Sequence, residues 1–201
     1  MENETLEQVA ERLKNFQGNV KGEVFRVHAE YIKHKEGEEG VKRVEEKMKE
    51  IGMPINFNDI EPFAWINEGK SSMTLVVAKE IFNWTNEDIF EMGHFAPKFS
   101  FIIKVMIQYL VSMENLIKSA QKYWDKHFDF GEIETEFFEG ENKAIIREKG
   151  YPTPHPITCL YHTGYFTGLC EFAVKSGKVK VTETKCHHKG DNCNEFLVEW
   201  E

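Results

Sequence analysis

The first half of the chain repeats apolar residues with the period of a helix. Apolar positions at spacings of three and four predict a short amphipathic helix that stops near Gly18: Leu6, Val9, Ala10, Leu13 and Phe16. Similar spacing predicts helices from Val24 to Ile32 and, after the break EGEEG, in VKRVEEKMKEIG, SSMTLVVAKEIFNW and TNEDIFEMG. The run FSFIIKVMIQYLVSMENLIKSAQKYW is apolar nearly all round in its first half, which is typical of a helix buried on most faces. We expect NFNDIEPFAWINEG to be irregular.

The period changes in the second half. In EIETEFFEGENKAIIREKG, Ile133 and Thr135 alternate with glutamates, which predicts a strand, and EGEN is the expected hairpin turn. A helix follows in HPITCLYHTGYFTGLCEFAVKSG, and then two strands in KVKVTET and NEFLVEW. This order predicts an α+β fold with an antiparallel sheet of two hairpins covered by helices. We expect residues 1–55 to be a helical N-terminal extension and residues 56–201 to be the main domain.

Composition narrows the functional classes. The chain has 201 residues and a net charge of −9, with 25 Lys and Arg against 34 Asp and Glu. This charge argues against the broad positive surface that direct nucleic-acid binding requires. The charged start MENETLEQVAERLKNF lacks the apolar core of a signal peptide, and no window is long enough for a membrane span. We therefore expect a cytoplasmic protein whose cysteines are free thiols or metal ligands.

Several possible metal ligands lie near the C-terminal hairpin. Cys186 and Cys193 bracket the turn between the last two strands, so the hairpin can bring them together. Glu183 lies three residues before Cys186, and strict strand alternation would send these two side chains to opposite faces. A common site therefore requires a bulge, or an end to the strand near Thr184.

The motifs GYFTG, ETKC, HKGDNC and FLVEW together resemble the 4-vinyl reductase domain, and the resemblance is clearest from Tyr151 to Glu201. This small-molecule-binding module occurs in phenol- and aromatic-responsive transcription activators. The resemblance implies a structural zinc ion held by Cys159, Glu183, Cys186 and Cys193, a ligand set that suits tetrahedral zinc. Replacement of one ligand by His155, His187 or His188 remains open, as does the absence of a metal.

The resemblance also implies a pocket for a small apolar or aromatic ligand. Aromatic and polar candidates for its lining occur in the second half of the chain: Phe99, Phe101, Trp124, Tyr161, His162, Tyr165 and Phe166. The same residue types also build ordinary cores, so the pocket rests chiefly on the resemblance.

The resemblance implies a sensor or regulatory protein that signals through an unidentified partner, and it implies a homodimer, for which the N-terminal helices are the natural candidates. An enzyme is disfavoured, because the chain lacks a phosphate-binding glycine loop, a dinucleotide fingerprint and a nucleophile elbow. One alternative is a haem-binding protein, with His94, His155 or His162 as axial ligand, or a tetrapyrrole reductase accessory. A second alternative is an interaction scaffold that binds a lipid or acyl chain.

Overall fold

Seven helices and six strands are present in the described part of the chain, which comprises residues 4–100, 103 and 112–201 of a computed structural model. The helices are α1 (Leu6–Lys14), α2 (Gly22–Glu50), α3 (Glu68–Ile81), α4 (Asn86–Phe99), α5 (Met113–Lys118), α6 (Ala120–His127) and α7 (Ile157–Glu171). The strands are β1 (Asn19–Lys21), β2 (Trp65–Asn67), β3 (Glu132–Phe138), β4 (Lys143–Lys149), β5 (Val179–Lys185) and β6 (Asn194–Trp200). None of the described helices is both long and apolar enough to cross a membrane.

The helix starts follow from local side-chain chemistry. Thr5 and Gln8 form a capping box at α1, and Thr85 and Asp88 form one at α4, so each pair satisfies backbone N–H groups that the helix leaves unpaired. The gap predicted at EGEEG is instead a kink within α2. Gly37 adopts φ 75° and ψ −179° there, a conformation that glycine tolerates because it has no Cβ.

The predicted α+β fold with two hairpins is confirmed. The hairpins β3–β4 and β5–β6 join through β4 and β6 into one antiparallel sheet with strand order β3-β4-β6-β5. The register shifts between Glu183 and Lys185 on β5, so the strand contains a bulge, one of the two irregularities that would allow a common Glu183–Cys186 site. The segment expected to be irregular contains a short 3-10 helix, Phe57–Asp59, and strand β2, which pairs with β1.

Two hydrophobic cores define two lobes. The helical lobe comprises α1–α4 with β1 and β2, and the sheet lobe comprises α5–α7 with β3–β6. Tyr161 on α7 packs in the first core, whereas Phe166 on the same helix packs in the second. Helix α7 therefore belongs to both cores. Residues before 55 share the first core with later residues, and a domain boundary at residue 55 stays a prediction.

Helices α4 and α7 meet backbone to backbone. A Cβ atom added at Gly93 would lie 1.9 Å from the Tyr161 carbonyl oxygen, and one added at Gly164 would lie 1.9 Å from the Phe90 carbonyl oxygen. At Gly168 the nearest atom would be the His94 carbonyl oxygen, at 2.5 Å. These glycines set the distance between the helices, because any side chain would force them apart.

Candidate functional site

A small cavity lies where the lobes meet, and a second one adjoins it. The first measures about 40 Å³ and is lined by residues from both lobes: Val24, Glu68, Ser71, Leu75, Trp124, His127, Phe128, Thr158, Tyr161, His162, Tyr165 and Phe166. The second measures about 50 Å³ and lies within the sheet lobe. The two cavities share a partition of Trp124, His127, Phe128, Tyr165 and Phe166. We call the first one the interlobe cavity.

The structure places most of the predicted pocket residues at this cavity. Its lining includes Trp124, Tyr161, His162, Tyr165 and Phe166. Their role in ligand binding stays a prediction.

Two other predicted pocket residues are placed differently. Phe99 lines neither cavity, is 47% exposed, and stacks on Phe95 with ring centroids 3.8 Å apart. Phe99 is the last residue of α4, and its exposure depends on where the helix ends relative to the rest of the fold. Phe101 lies outside the described residues.

Glu68 brings a carboxyl group into the apolar lining. It is the first residue of α3 and is 3% exposed. Its Oε1 accepts a hydrogen bond from Ser72 Oγ at 2.9 Å and from the Tyr151 hydroxyl at 3.4 Å, whereas Oε2 has no partner among the described residues. Burial raises the pKa of Glu68 to about 7. Glu68 is not among the candidates that the sequence indicated, since an acidic residue in a first helical turn is ordinary and its burial depends on tertiary packing.

A buried ion pair connects the cavity to the C-terminal hairpin. His162 Nδ1 lies 2.6 Å from Glu148 Oε1. Burial would lower the pKa of His162, but the Glu148 carboxylate outweighs it and raises that pKa above its ordinary value. Asn194 donates from Nδ2 to Glu148 Oε2 at 2.9 Å and to Thr153 Oγ1 at 2.7 Å. Its Oδ1 accepts from the His187 backbone N–H at 2.9 Å, so these hydrogen bonds reach the turn after Cys186.

His127 is the second imidazole in the described lining of the interlobe cavity, and it is not among the candidates that the sequence indicated. Its Nδ1 lies 3.1 Å from the Tyr123 carbonyl oxygen, which can only accept, so Nδ1 carries the proton and Nε2 keeps a lone pair. Burial lowers the pKa of His127, so the ring is neutral near pH 7. A buried, neutral imidazole with one committed nitrogen is a competent ligand for a metal.

The histidines predicted as axial ligands lie in different places. Of these three histidines, only His162 lines the interlobe cavity, where it already faces Glu148. His94 Nε2 lies 2.7 Å from Glu171 Oε2 between α4 and α7. His155 lies in a groove on the other side of α7.

Three of the four predicted metal ligands line that groove: Cys159, Glu183 and Cys186. The ligand atoms of Cys159, Glu183 and Cys186 lie within 4.8 Å of one another, and the two sulfurs are 3.9 Å apart. The bulge in β5 turns Glu183 toward the first turn of α7, which carries Cys159. Cys193 is buried but is not part of this group.

The donor atoms of this cysteine cluster are poorly paired. Burial, together with the Glu183 and Glu148 carboxylates, raises the pKa of the Cys159 thiol. Glu183 Oε1 and His188 Nε2 are both buried without a hydrogen-bond partner among the described residues. The groove has a volume of about 700 Å³ and is also lined by His155 and His188. Either histidine therefore lies in the same groove as the three clustered ligands.

Comparison with known proteins identifies the fold. No family model matches the chain, and no curated protein matches it. An H-NOX protein from S. oneidensis in the Fe(II)NO state superposes with a TM-score of 0.68 at 13% identity, covering 90% of this chain and 99% of that one. The chain has the H-NOX fold.

Two further H-NOX structures give similar superpositions. An oxygen-binding H-NOX domain related to soluble guanylate cyclases gives a TM-score of 0.64 at 13% identity, covering 90% of this chain and 95% of that one. An H-NOX domain from Shewanella oneidensis in the Fe(II)CO state gives 0.66 at 12% identity, covering 90% of this chain and 98% of that one. Both superpositions extend over the two lobes, since each covers 90% of this chain.

The H-NOX fold corrects the family expected from the sequence. The assignment to the 4-vinyl reductase domain is wrong, and the comparisons lend no support to the zinc that it implied. The motifs behind that assignment fall within residues 151–201 and describe a local helix and hairpin, whereas the H-NOX likeness spans 90% of the chain. Of the functions expected from the sequence, the comparisons favour the haem-binding alternative over the zinc-containing sensor.

Proposed function

We propose that this chain is a sensor domain that binds a small molecule in the interlobe cavity. The observation that carries the proposal is a cavity at the lobe junction with an aromatic lining and one unpaired buried carboxylate oxygen, on Glu68. Mainly apolar cavities with few, well-placed polar groups are typical of small-ligand sites. A ligand there contacts both lobes, so binding can change how they pack.

The position of α7 supports a sensing role. This helix contributes Tyr161 and His162 to the cavity, packs on α4 through its glycines, and carries Cys159 at its start. A displacement of α7 by a ligand would therefore reach both lobes and the C-terminal hairpin. Output through a partner protein and homodimerisation stay predictions.

Furan, a small apolar ring, tests whether the cavity takes up ligands. We expect furan to shift the indole N–H resonance of Trp124 in an NMR titration, because this group lies at the partition and donates to the Phe130 carbonyl oxygen at 2.8 Å. Leu75→Phe should fill the cavity and abolish the shift, since Leu75 is buried in its lining. Unchanged spectra of the wild type, or an undiminished shift in Leu75→Phe, would contradict the proposal.

Haem is the second candidate ligand, because solved H-NOX structures are described in Fe(II) states with NO and CO. His127 supplies a suitable imidazole, but the rest of the site does not fit. A cavity of about 40 Å³ has room for roughly three water molecules. No Lys or Arg is among the described residues that line either cavity, so this lining offers no such cation to pair with anionic propionates. The cavities are also too small for an acyl chain.

Titration with hemin separates haem binding from small-molecule binding. We expect the absorbance spectrum to remain that of free hemin, because the partition residues occupy the space between the two cavities. A sharpened Soret band that His127→Ala abolishes would overturn this expectation and establish haem as the ligand.

We also propose that Cys159, Glu183 and Cys186 bind a divalent metal ion that prefers thiolates. The support is their mutual spacing within 4.8 Å, together with the unpaired Glu183 Oε1. Cys193, His155 or His188 would complete the coordination from the same hairpin or groove. Thiolate and carboxylate donors at this spacing suit a tetrahedral ion.

Cobalt(II) reports on this cluster. We expect about one equivalent of Co²⁺ to give thiolate-to-cobalt charge-transfer absorbance, and Cys186→Ser to abolish it, because Cys186 supplies one of the two clustered sulfurs. Cys170→Ser is the matched control, since Cys170 is a buried cysteine on the same α7 but outside the cluster. Equal absorbance in Cys186→Ser and Cys170→Ser would refute the site.

A further inference from the structure

We infer that Glu68 selects the ligand of the interlobe cavity, and that this ligand is a compact neutral molecule with one O–H or N–H donor. The inference rests on the proposed function and adds the chemical class of ligand. Glu68 belongs to none of the residue sets that the sequence indicated.

The hydrogen bonds of Glu68 fix its carboxyl group in place. Ser72 and Tyr151 both donate to Oε1, one from the same helix and the other from the sheet lobe. Oε2 is buried and has no partner among the described residues. A buried acceptor without a donor costs free energy. A ligand that donates a hydrogen bond to Oε2 removes this cost and therefore binds more tightly.

Three other polar groups of the lining already face partners of their own. Thr158 Oγ1 donates to the His155 carbonyl oxygen at 2.6 Å, and His162 Nδ1 faces Glu148. His127 Nδ1 is engaged by the Tyr123 carbonyl oxygen. Glu68 Oε2 is the buried carboxylate oxygen of the described lining that has no partner, so we assign recognition of the ligand's donor to it.

The charges around the cavity favour a neutral ligand. Glu68 and the nearby Glu148 repel an anion. A cation would be repelled by protonated His162, which lines the same cavity and whose pKa is raised by Glu148. Burying a second full charge beside aromatic rings would also cost desolvation that one ion pair does not reliably recover. A neutral donor avoids both penalties.

The volume of the cavity sets the size of the ligand. The interlobe cavity measures about 40 Å³ and adjoins the cavity of about 50 Å³. Rotation of a shared ring such as Phe166 or Trp124 would join them. Five-membered rings are therefore suitable probes, because they demand only this local change.

Pyrrole and furan differ in the group that Glu68 would recognise. Both are neutral five-membered rings, but only pyrrole carries an N–H donor. At about pH 8, where Glu68 with its pKa of about 7 is mostly ionised, we expect wild-type protein to bind pyrrole about tenfold more tightly than furan, because a hydrogen bond to a buried carboxylate is stronger than one between neutral groups. Dissociation constants come from NMR titrations that follow the Trp124 indole N–H.

Two variants make the assignment specific. Glu68→Leu should bring the two dissociation constants within about twofold, since the acceptor is gone. Thr158→Val removes another hydroxyl from the same lining and should leave the preference for pyrrole intact, because that hydroxyl does not face a ligand.

Each outcome has one meaning. Equal affinity of the wild type for the two rings, or a preference that survives in Glu68→Leu, would overturn the role of Glu68 while leaving the cavity as a ligand site. Tighter binding of pyrrolidinium than of pyrrole would replace the neutral ligand by a cation. If neither neutral ring bound, the proposed function itself would fail.

Discussion

Replacement of Gly164 by alanine is expected to destabilise the protein by about 3 kcal/mol or more. In an unobstructed helix this change would stabilise by roughly 1 kcal/mol, because alanine has the higher helix propensity. Here the new Cβ would lie 1.9 Å from the Phe90 carbonyl oxygen and 2.9 Å from the His94 backbone nitrogen. Both obstructing atoms are backbone, so α4 must move away from α7. Urea denaturation followed by circular dichroism measures the loss.

Neighbouring substitutions test whether the helix contact is the cause. Thr163→Ala changes the next residue of α7, whose hydroxyl bonds only within its helix, to the Cys159 carbonyl oxygen, and should cost less than about 1 kcal/mol. Gly93→Ala obstructs the same contact from α4, at 1.9 Å from the Tyr161 carbonyl oxygen. Once one substitution has separated the helices, the second should cost less than it does alone. Wild-type stability of Gly164→Ala would show that the helices do not depend on this contact.

Glu68→Gln is expected to become progressively more stabilising relative to the wild type as pH rises. The folded-state pKa of Glu68 is about 7 against an ordinary value of 4.5, so between these values the unfolded chain has lost a proton that the folded chain retains. The wild type therefore loses stability as pH rises through this window, and glutamine does not. We expect the difference in free energy of unfolding to grow by about 2 to 3 kcal/mol from pH 5 to pH 8.

Glu134→Gln provides a comparison of opposite sign. Hydrogen bonds from Lys149 and Arg147 lower the pKa of this exposed carboxylate, so its contribution to stability is lost as pH falls, not as it rises. Solvent screens the pair, and the effect should be small. Urea denaturation at several pH values measures both variants. A difference between Glu68→Gln and wild type that stays flat with pH would mean that Glu68 titrates as it does in the unfolded chain.

The sheet lobe was largely predictable from sequence. Alternation around Ile133 identified the first hairpin. A shared site for Glu183 and Cys186 required either a bulge or an end to the strand near Thr184, and the register of β5 contains a bulge. Both inferences depend on neighbours along the chain or across one turn, where spacing determines geometry. The position of Cys193 outside the cluster was not predictable in this way. It depends on the geometry of the turn, where Asp191 Oδ2 accepts a hydrogen bond from the Cys186 backbone N–H at 2.8 Å, and spacing along the chain does not determine that geometry.

The packing of the lobes was not predictable in the same way. Gly164 and Gly168 have the spacing of a close helix contact, but the partner, Gly93 on α4, is set only by the tertiary fold. Glu68 and His127 look like ordinary polar residues of helix ends, and their burial arises from contacts between distant segments. The family assignment failed for the same reason, because short motifs report local structure and not the arrangement of lobes.

Glu148 places the two proposed sites in one thermodynamic cycle. This fully buried carboxylate faces His162 of the interlobe cavity with one oxygen and, through Asn194, holds the backbone beside Cys186 with the other. Any molecule that binds one arrangement of Glu148 more tightly than another changes the affinity of the second site by some factor. By linkage, occupancy of the second site changes the affinity of the first site by that same factor. Metal affinity measured with and without a cavity ligand would therefore report the coupling between the two sites.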